Sequence, residues 1–353
     1  MDIPLPVTSA PVCVTGASGF IASHLVAELL ARGYRVRGTV RSLAKLAGHR
    51  HLTALPGAAE RLELVEAELG TPGAFDAAVA GVSHVLHTAS PYTLEAKDPQ
   101  RDLVDPAVRG TESLLASAAK SGTVKRVVLT SSMAAITDEP EGDHVLTEAD
   151  WNTKSTLQRN AYYLSKTLAE RAGWDFVARE KPGFDLVVVN PFLVIGPQLS
   201  PGVNTSNQLF VDLLAGVYPG IMSLTWGFVD VRDVAHAHVL AMENPAAKGR
   251  YLCAGDTITM REVVDLLGRS GYDGYKLPKL GFDCGVGDHA IRLGSYLQPK
   301  GVGSYLRTHV GRVPRYDTSK IRGELGMSFR PATESILDTL ADLGRAGALP
   351  AKR

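Results

Sequence analysis

The chain has 353 residues, 45% of them hydrophobic and 21% charged, enough apolar material for one large or two modest domains with a substantial core. Lys plus Arg and Asp plus Glu both number 37, so the net charge is zero and points to neither nucleic acid nor an acidic membrane as partner. Three scattered cysteines, Cys13, Cys253 and Cys284, make no metal spacing and no disulfide framework, which fits a reducing, cytoplasmic setting. Met1 to Pro11 lacks the basic and apolar regions of a signal peptide, and no apolar run is long enough to span a bilayer.

The first half alternates short β-branched runs with longer amphipathic stretches. Val12-Cys13-Val14-Thr15 reads as a buried strand, and Phe20 to Ala31 as a helix ended by Arg32-Gly33. Strands follow at Arg35 to Val40, Leu62 to Val65, Ser83 to His87 and Arg126 to Thr130. Helical spacing runs from Asp102 to Ser121 and from Leu157 to Glu180, before a sixth strand over Leu186 to Val189. Near-continuous apolar strands alternating with helices predict an α/β fold, a doubly wound parallel (Rossmann) sheet whose ligands sit at the carboxyl ends of the strands.

After Pro191 the pattern weakens into proline- and glycine-marked loops, returning to a helix at Asp230 to Asn244 and a strand at Arg250 to Cys253. We therefore expect a dinucleotide-binding domain over 1–195, rejoined by 226–257. A smaller, discontinuous substrate lobe is expected over 196–225 and 258–330, with a C-terminal helix and tail over 331–353. Glycine-rich Gly281 to Gly303 is expected to form a mobile lid over the pocket.

Tyr162-Tyr163-Leu164-Ser165-Lys166 carries the most chemistry. Tyr162 and Lys166 are four apart, so on a helix they share one face. An ammonium close to a phenol favours the phenolate, and such a phenol can exchange a proton near neutral pH, as carbonyl reduction requires. Tyr163 lacks that spacing to Lys166. Gly16-Ala17-Ser18-Gly19 joins the first strand to the first helix, where Gly16 and Gly19 permit close approach and the helix start suits a pyrophosphate. No Asp or Glu lies between Glu28 and Glu60 to hold a ribose 2′-hydroxyl; Arg41, followed by Lys45, stands at the end of the second strand instead. A guanidinium there pairs with a 2′-phosphate, so the expected cofactor is NADP(H). Thr130-Ser131-Ser132 closes the fifth strand and offers two candidate hydroxyls for a substrate carbonyl, Ser131 and Ser132.

With these motifs assembled, the chain resembles the extended short-chain dehydrogenase/reductase family. The resemblance rests on Val14 to Ile21, Thr130-Ser131-Ser132 and Tyr162 to Glu170, and it covers residues 11 to 255 well and the rest loosely. Val40-Arg41-Ser42, His87 to Pro91 and Asn190 to Pro197 make it similar to the branch of dihydroflavonol, cinnamoyl-CoA and fungal aldehyde/ketone reductases. The resemblance implies catalytic roles for Ser132, Tyr162 and Lys166, with Lys166 also holding the nicotinamide ribose. It implies that Gly16, Ser18, Gly19, Phe20 and Ile21 form the pyrophosphate turn and that Ala89, Pro191 and Val194 line the cofactor. Glu68 and Leu69 stand where an acid–apolar pair meets adenine, with Glu in place of the usual Asp, and Ala22 replaces a third glycine.

The expected activity is NADPH-dependent reduction of an aldehyde or ketone on a small molecule, by a monomer or homodimer. Tyr92, Met133, Phe192 and Phe210 are expected as pocket walls. A nucleotide-sugar epimerase or dehydratase of the same fold holding NAD, and a non-catalytic NADP-binding redox sensor, are the competing readings. His236 and His238 are two apart and so face different sides of a helix, which argues against a metal pair. Asp230 and Arg232 are expected to cap and dock a helix.

Overall fold

Val12 and Val14 turn their side chains to one side of the first strand and Cys13 to the other, and this alternation is repeated across the sheet it belongs to. The computed structural model describes residues 10–91 and 96–352, without the side chains of residues 45–47. Its strands of three or more residues are β1 (Val12–Thr15), β2 (Val36–Val40), β3 (Leu62–Glu66), β4 (His84–His87), β5 (Arg126–Thr130), β6 (Asp185–Pro191), β7 (Leu193–Ile195), β8 (Thr225–Asp230), β9 (Gly249–Cys253) and β10 (Thr257–Thr259). Its longer helices are α1 (Phe20–Ala31), α2 (Asp105–Ser121), α3 (Ala161–Glu180), α4 (Thr205–Ala215), α5 (Val231–Glu243), α6 (Met260–Leu267), α7 (Gly285–Gly294), α8 (Lys300–His309), α9 (Ser319–Leu325) and α10 (Ala332–Arg345).

The main sheet is parallel throughout, in the order β9-β6-β5-β4-β1-β2-β3. Leu25, Val26 and Leu29 of α1 and Val234 and Val239 of α5 cover one face, meeting Val14, Leu86, Val128 and Val187. Leu114 and Leu115 of α2 and Phe176 of α3 cover the other, meeting Cys13, Val85, Val127 and Val188. Truncating one such leucine to alanine costs about 2–5 kcal/mol. The chain order reverses between β1 and β4, which places the ligand crevice at the carboxyl ends of these two strands.

A second sheet, β10-β8-β7, escaped the sequence reading. Its central strand, Thr-Trp-Gly-Phe-Val-Asp, is buried along its whole length, so it shows no alternation and its glycine reads as a loop. Ile195, Phe210, Phe228, Met260, Ile336 and Leu340 form a separate core around it. Two predicted helix starts also shift. Helix α3 begins at Ala161 rather than Leu157, because Asn160 takes a left-handed φ of +52° and its side chain bonds Thr308 Oγ1 at 3.2 Å. Gln100–Val104 is a π-helical turn leading into α2, which begins at Asp105 instead of Asp102. The glycine-rich stretch expected as a mobile lid contains α7 and the start of α8. There Gly287 and Gly303 serve close packing: a Cβ on either would collide with the carbonyl oxygen of Phe282 or Ser295. Among the described residues, no helix is long and apolar enough to cross a membrane.

Candidate active site

The turn after β1 is built by hydrogen bonds to neighbouring strand ends. Thr15 Oγ1 accepts the N–H groups of Thr88 and Ala89, each at 3.1 Å, so its own hydroxyl proton goes to His87 Nδ1 at 2.8 Å. Burial, and next the charge of Lys166, push the His87 imidazole down to about 3, so it stays neutral. Gly16 takes φ +65°, and a Cβ there would meet Ala89 Cα at 3.2 Å. The turn thus needs glycine both for its backbone angle and for the close approach of the β4 end. Helix α1 opens at Gly19 with no side-chain cap and no acid in its first turn, leaving its leading N–H groups and positive dipole end for an anion. Ser18, Phe20 and Ile21 are half-buried around this opening.

Arg41 follows β2 directly and is exposed. Lys45 lies in the following 3-10 helix, Leu43–His49, and its side chain is outside the described atoms. Leu43 N–H donates to Glu66 Oε1 at 2.6 Å, which docks this segment on the end of β3. Glu68 is exposed, whereas Leu69 is half-buried against the core under α2. The glycine turn, Ala89 and Arg41 therefore stand at the carboxyl ends of β1, β4 and β2, on one edge of the sheet.

Tyr162 and Lys166 occupy consecutive turns of α3, with Lys166 Nζ 5.9 Å from the centroid of the Tyr162 ring. Tyr162 is half-buried and meets Tyr163 edge-on. Lys166 is buried, and desolvation lowers its ammonium from the ordinary lysine value to about 8 although the charge of Glu170 opposes the shift. Ser132 leaves β5 and caps the 3-10 turn Met133–Ala135, its Oγ accepting from Ala134 N at 3.1 Å. That turn packs on α3, where Thr167 Oγ1 donates to Ala134 O at 3.3 Å. The Tyr163 ring leans on His309 of α8, at 5.8 Å between centroids.

Beneath these residues lies a buried ionic cluster that the sequence reading left unassigned. The Glu170 carboxylate, which has no exposed surface, accepts from Ser131 Oγ at 2.5 Å, Asn190 Nδ2 at 2.8 Å and Trp174 Nε1 at 3.3 Å. Arg250 Nε forms an ion pair with Glu170 Oε1 at 2.6 Å, and its Nη2 donates to Glu170 Oε2 at 3.4 Å. Arg250 also donates to the carbonyls of Glu148 and Asp150 and stacks 3.9 Å over the Trp151 ring. The available signal was a charged residue one turn past Lys166 and an arginine inside an apolar strand.

The proposed walls divide. Met133 is nearly buried, in a small cluster with Ile136, Leu146 and Leu252 against which Phe192 packs. Phe192 is half-buried and 4.4 Å from the Tyr316 ring. Pro191 ends β6 and Val194 lies in β7, both buried. Phe210 corrects the expectation: it has no exposed surface and packs 6.2 Å from Phe228 in the second core, because α4 turns it inward. Tyr92 lies outside the described residues. A cleft of 180 Å³ lined by Asp138, Glu139, His144 and Trp151 includes none of Ser132, Tyr162 or Lys166 in its walls.

His236 and His238 turn apart as helical spacing requires. His236 Nδ1 lies 2.7 Å from Glu28 Oε1, and His238 Nε2 lies 2.7 Å from Thr130 Oγ1. Asp230 caps α5 by accepting from Arg232 N at 2.8 Å, and Arg232 reaches on to Asp338 at 2.7 Å. Among the described residues, no group of three or more His, Cys, Asp and Glu side chains could hold a metal ion.

The sheet order, the glycine turn at its switch point and the Tyr162–Lys166 helix together define a Rossmann-type oxidoreductase architecture. The sequence model of the NAD dependent epimerase/dehydratase family matches residues 12–254, and the chain belongs to that family, the extended short-chain dehydrogenases/reductases. Within it the chain falls in the branch of dihydroflavonol, cinnamoyl-CoA and fungal aldehyde/ketone reductases. It is 41% identical to cinnamoyl-CoA reductase CAD2 of Medicago truncatula, over 94% of this chain and 95% of the relative. It is 38% identical to tetraketide alpha-pyrone reductase 1 of Arabidopsis thaliana, over 96% of each. Among solved structures it is similar to yeast methylglyoxal/isovaleraldehyde reductase Gre2 complexed with NADPH. That likeness has a TM-score of 0.79 and 32% identity, covering 96% of this chain and 100% of the other. The family model's range, residues 12–254, coincides with the stretch over which the resemblance is good, while the relatives also align beyond it.

Proposed function

We propose that this chain reduces an aldehyde or ketone carbonyl to an alcohol, reversibly, with NADPH as reductant and Tyr162 as proton donor. The observation that carries this reading is the stacking of Lys166 one turn behind Tyr162, 5.9 Å from its ring, on a helix packed against the Ser132 turn. The cofactor is NADP(H), the ligand of the similar Gre2 structure. The residues present fit it: the uncapped start of α1 meets the pyrophosphate, and the Gly16–Ala89 approach leaves backbone alone where the dinucleotide passes. Arg41, an exposed cation where an NAD site carries an acid, suits the 2′-phosphate.

NADPH, when bound, supplies the hydride. The chain's own residues govern the proton and the charge on oxygen. Ser132 Oγ already accepts from Ala134 N, so its O–H is left to donate to the carbonyl oxygen. Tyr162 Oη gives its proton to the alkoxide as it forms, and the Lys166 ammonium stabilises the phenolate left behind. Placing donors where negative charge develops is the largest contribution a protein makes to such a step. Lys166 also suits a hydrogen bond to the nicotinamide ribose.

The competing epimerase or dehydratase reading needs a tightly held NAD and a site built without a 2′-phosphate partner. A panel of aldehydes and ketones offered to the purified protein with NADPH separates the two. NADPH consumption matched by alcohol formation supports the proposal. No consumption with any carbonyl, together with copurifying NAD, overturns it.

A further inference from the structure

Among the described residues, Glu170 is a carboxylate buried behind Ser132 and Lys166 whose hydrogen bonds run to the strand ends that carry the site. Ser131 Oγ, at the end of β5, donates to Glu170 Oε2 at 2.5 Å. Asn190 Nδ2, at the end of β6, donates to the same oxygen at 2.8 Å and to the backbone carbonyl of Ser132 at 3.2 Å. Glu170 itself sits one turn beyond Lys166 on α3. One carboxylate therefore ties the helix of Tyr162 and Lys166 to the backbone of Ser132. A buried ion pair is a poor device for stability alone, since well-packed apolar residues of similar volume commonly do as well or better. The Arg250 partner is held largely by the carbonyls of Glu148 and Asp150 and by Trp151, so it does not need Glu170 to be placed.

We propose that Glu170 is a positioning residue for the reductase reaction: it fixes Ser132 against Tyr162 and sets a negative charge one turn from Lys166. The inference rests on the function proposed above. Three other titratable groups bear on Lys166 or on its partner. Tyr162 lies on α3 itself. His87, on β4, is neutral and bonded to Thr15. Arg250, on β9, faces Glu170. With His87 uncharged, Glu170 is the anion that opposes desolvation of the lysine.

The test is the pH profile of kcat for Glu170→Gln and Arg250→Gln, with NADPH binding measured separately. Removing the negative charge lowers the proton affinity of both Lys166 and Tyr162, so whichever titrates, the alkaline limb moves to lower pH. Removing the positive charge of Arg250 moves it to higher pH. Opposite shifts of about half a unit or more are expected. Glu170→Gln should also lower kcat about tenfold or more, with NADPH affinity changed little. A structural role alone would lower the Tm of both variants and leave both limbs where they are, and that result overturns the proposal. Should either single variant fail to fold, the Glu170→Gln, Arg250→Gln double variant removes both members of the Glu170–Arg250 ion pair together; parental kcat there overturns the proposal equally, and a tenfold loss supports it. Tyr162→Phe is assayed alongside. If it turns over normally, the reductase reading has failed; if it is inactive while the Glu170 variants match the parent, only the inference about Glu170 has failed.

Discussion

Ser131 Oγ donates to Glu170 Oε2 at 2.5 Å, and this bond separates the roles of two adjacent serines. Ser131 is buried and committed to the carboxylate below, whereas Ser132 is half-buried with its O–H left to donate. Ser132→Ala should lower kcat by about 10²–10³ with little change in NADPH affinity. Ser131→Ala should instead cost about 1–3 kcal/mol of stability by leaving the buried carboxylate short of a donor, with a smaller loss of kcat. Steady-state kinetics and thermal unfolding of the pair check this; the reverse ranking of the two kcat losses contradicts it.

Lys166 illustrates a site that costs the fold stability. Its ammonium is buried and its proton affinity is depressed to about 8. A base whose folded value lies below its unfolded value destabilises the protein fully below the folded value, and the penalty fades as pH rises from about 8 toward the ordinary lysine range. Lys166→Met should therefore raise the Tm at pH 7, by roughly 2 °C or more, while abolishing turnover. Loss of turnover with a lowered Tm at pH 7 would contradict the electrostatic account of this residue.

Arg41 is the residue proposed to select the phosphorylated cofactor. Arg41→Ala removes a charge-assisted contact to the 2′-phosphate, so the KM for NADPH should rise about tenfold or more while that for NADH stays nearly unchanged. Equal, small effects on both cofactors would remove Arg41 from the binding site.

Much of this was legible in the chain because each strand of the main sheet is a short apolar run and each motif sits at a strand end. The glycine turn, Arg41 and Ser132 could be placed from position alone. What stayed hidden depends on contacts between distant segments. Strand β8 is buried along its length, so its pattern carries no period. Phe210 reads equally well as wall or core until α4 is docked against Phe228. Glu170 and Arg250 are 80 residues apart, and neither spacing nor composition pairs them. The left-handed Asn160 that starts α3 is set by Asp138 and Thr308, from two other parts of the chain. Of the glycines in 281–303, Gly287 and Gly303 sit where a side chain would collide with the backbone, a packing role that spacing in the sequence does not reveal.

The most direct measurement is a single-turnover assay of Tyr162→Phe, with NADPH binding followed in the same preparation. In the proposed mechanism the phenol hydroxyl is the proton source, and Phe keeps the ring and its edge-on contact with Tyr163. The expected result is NADPH binding close to that of the parent with hydride transfer slowed at least about a hundredfold. Hydride transfer at the parental rate in that variant would contradict the account.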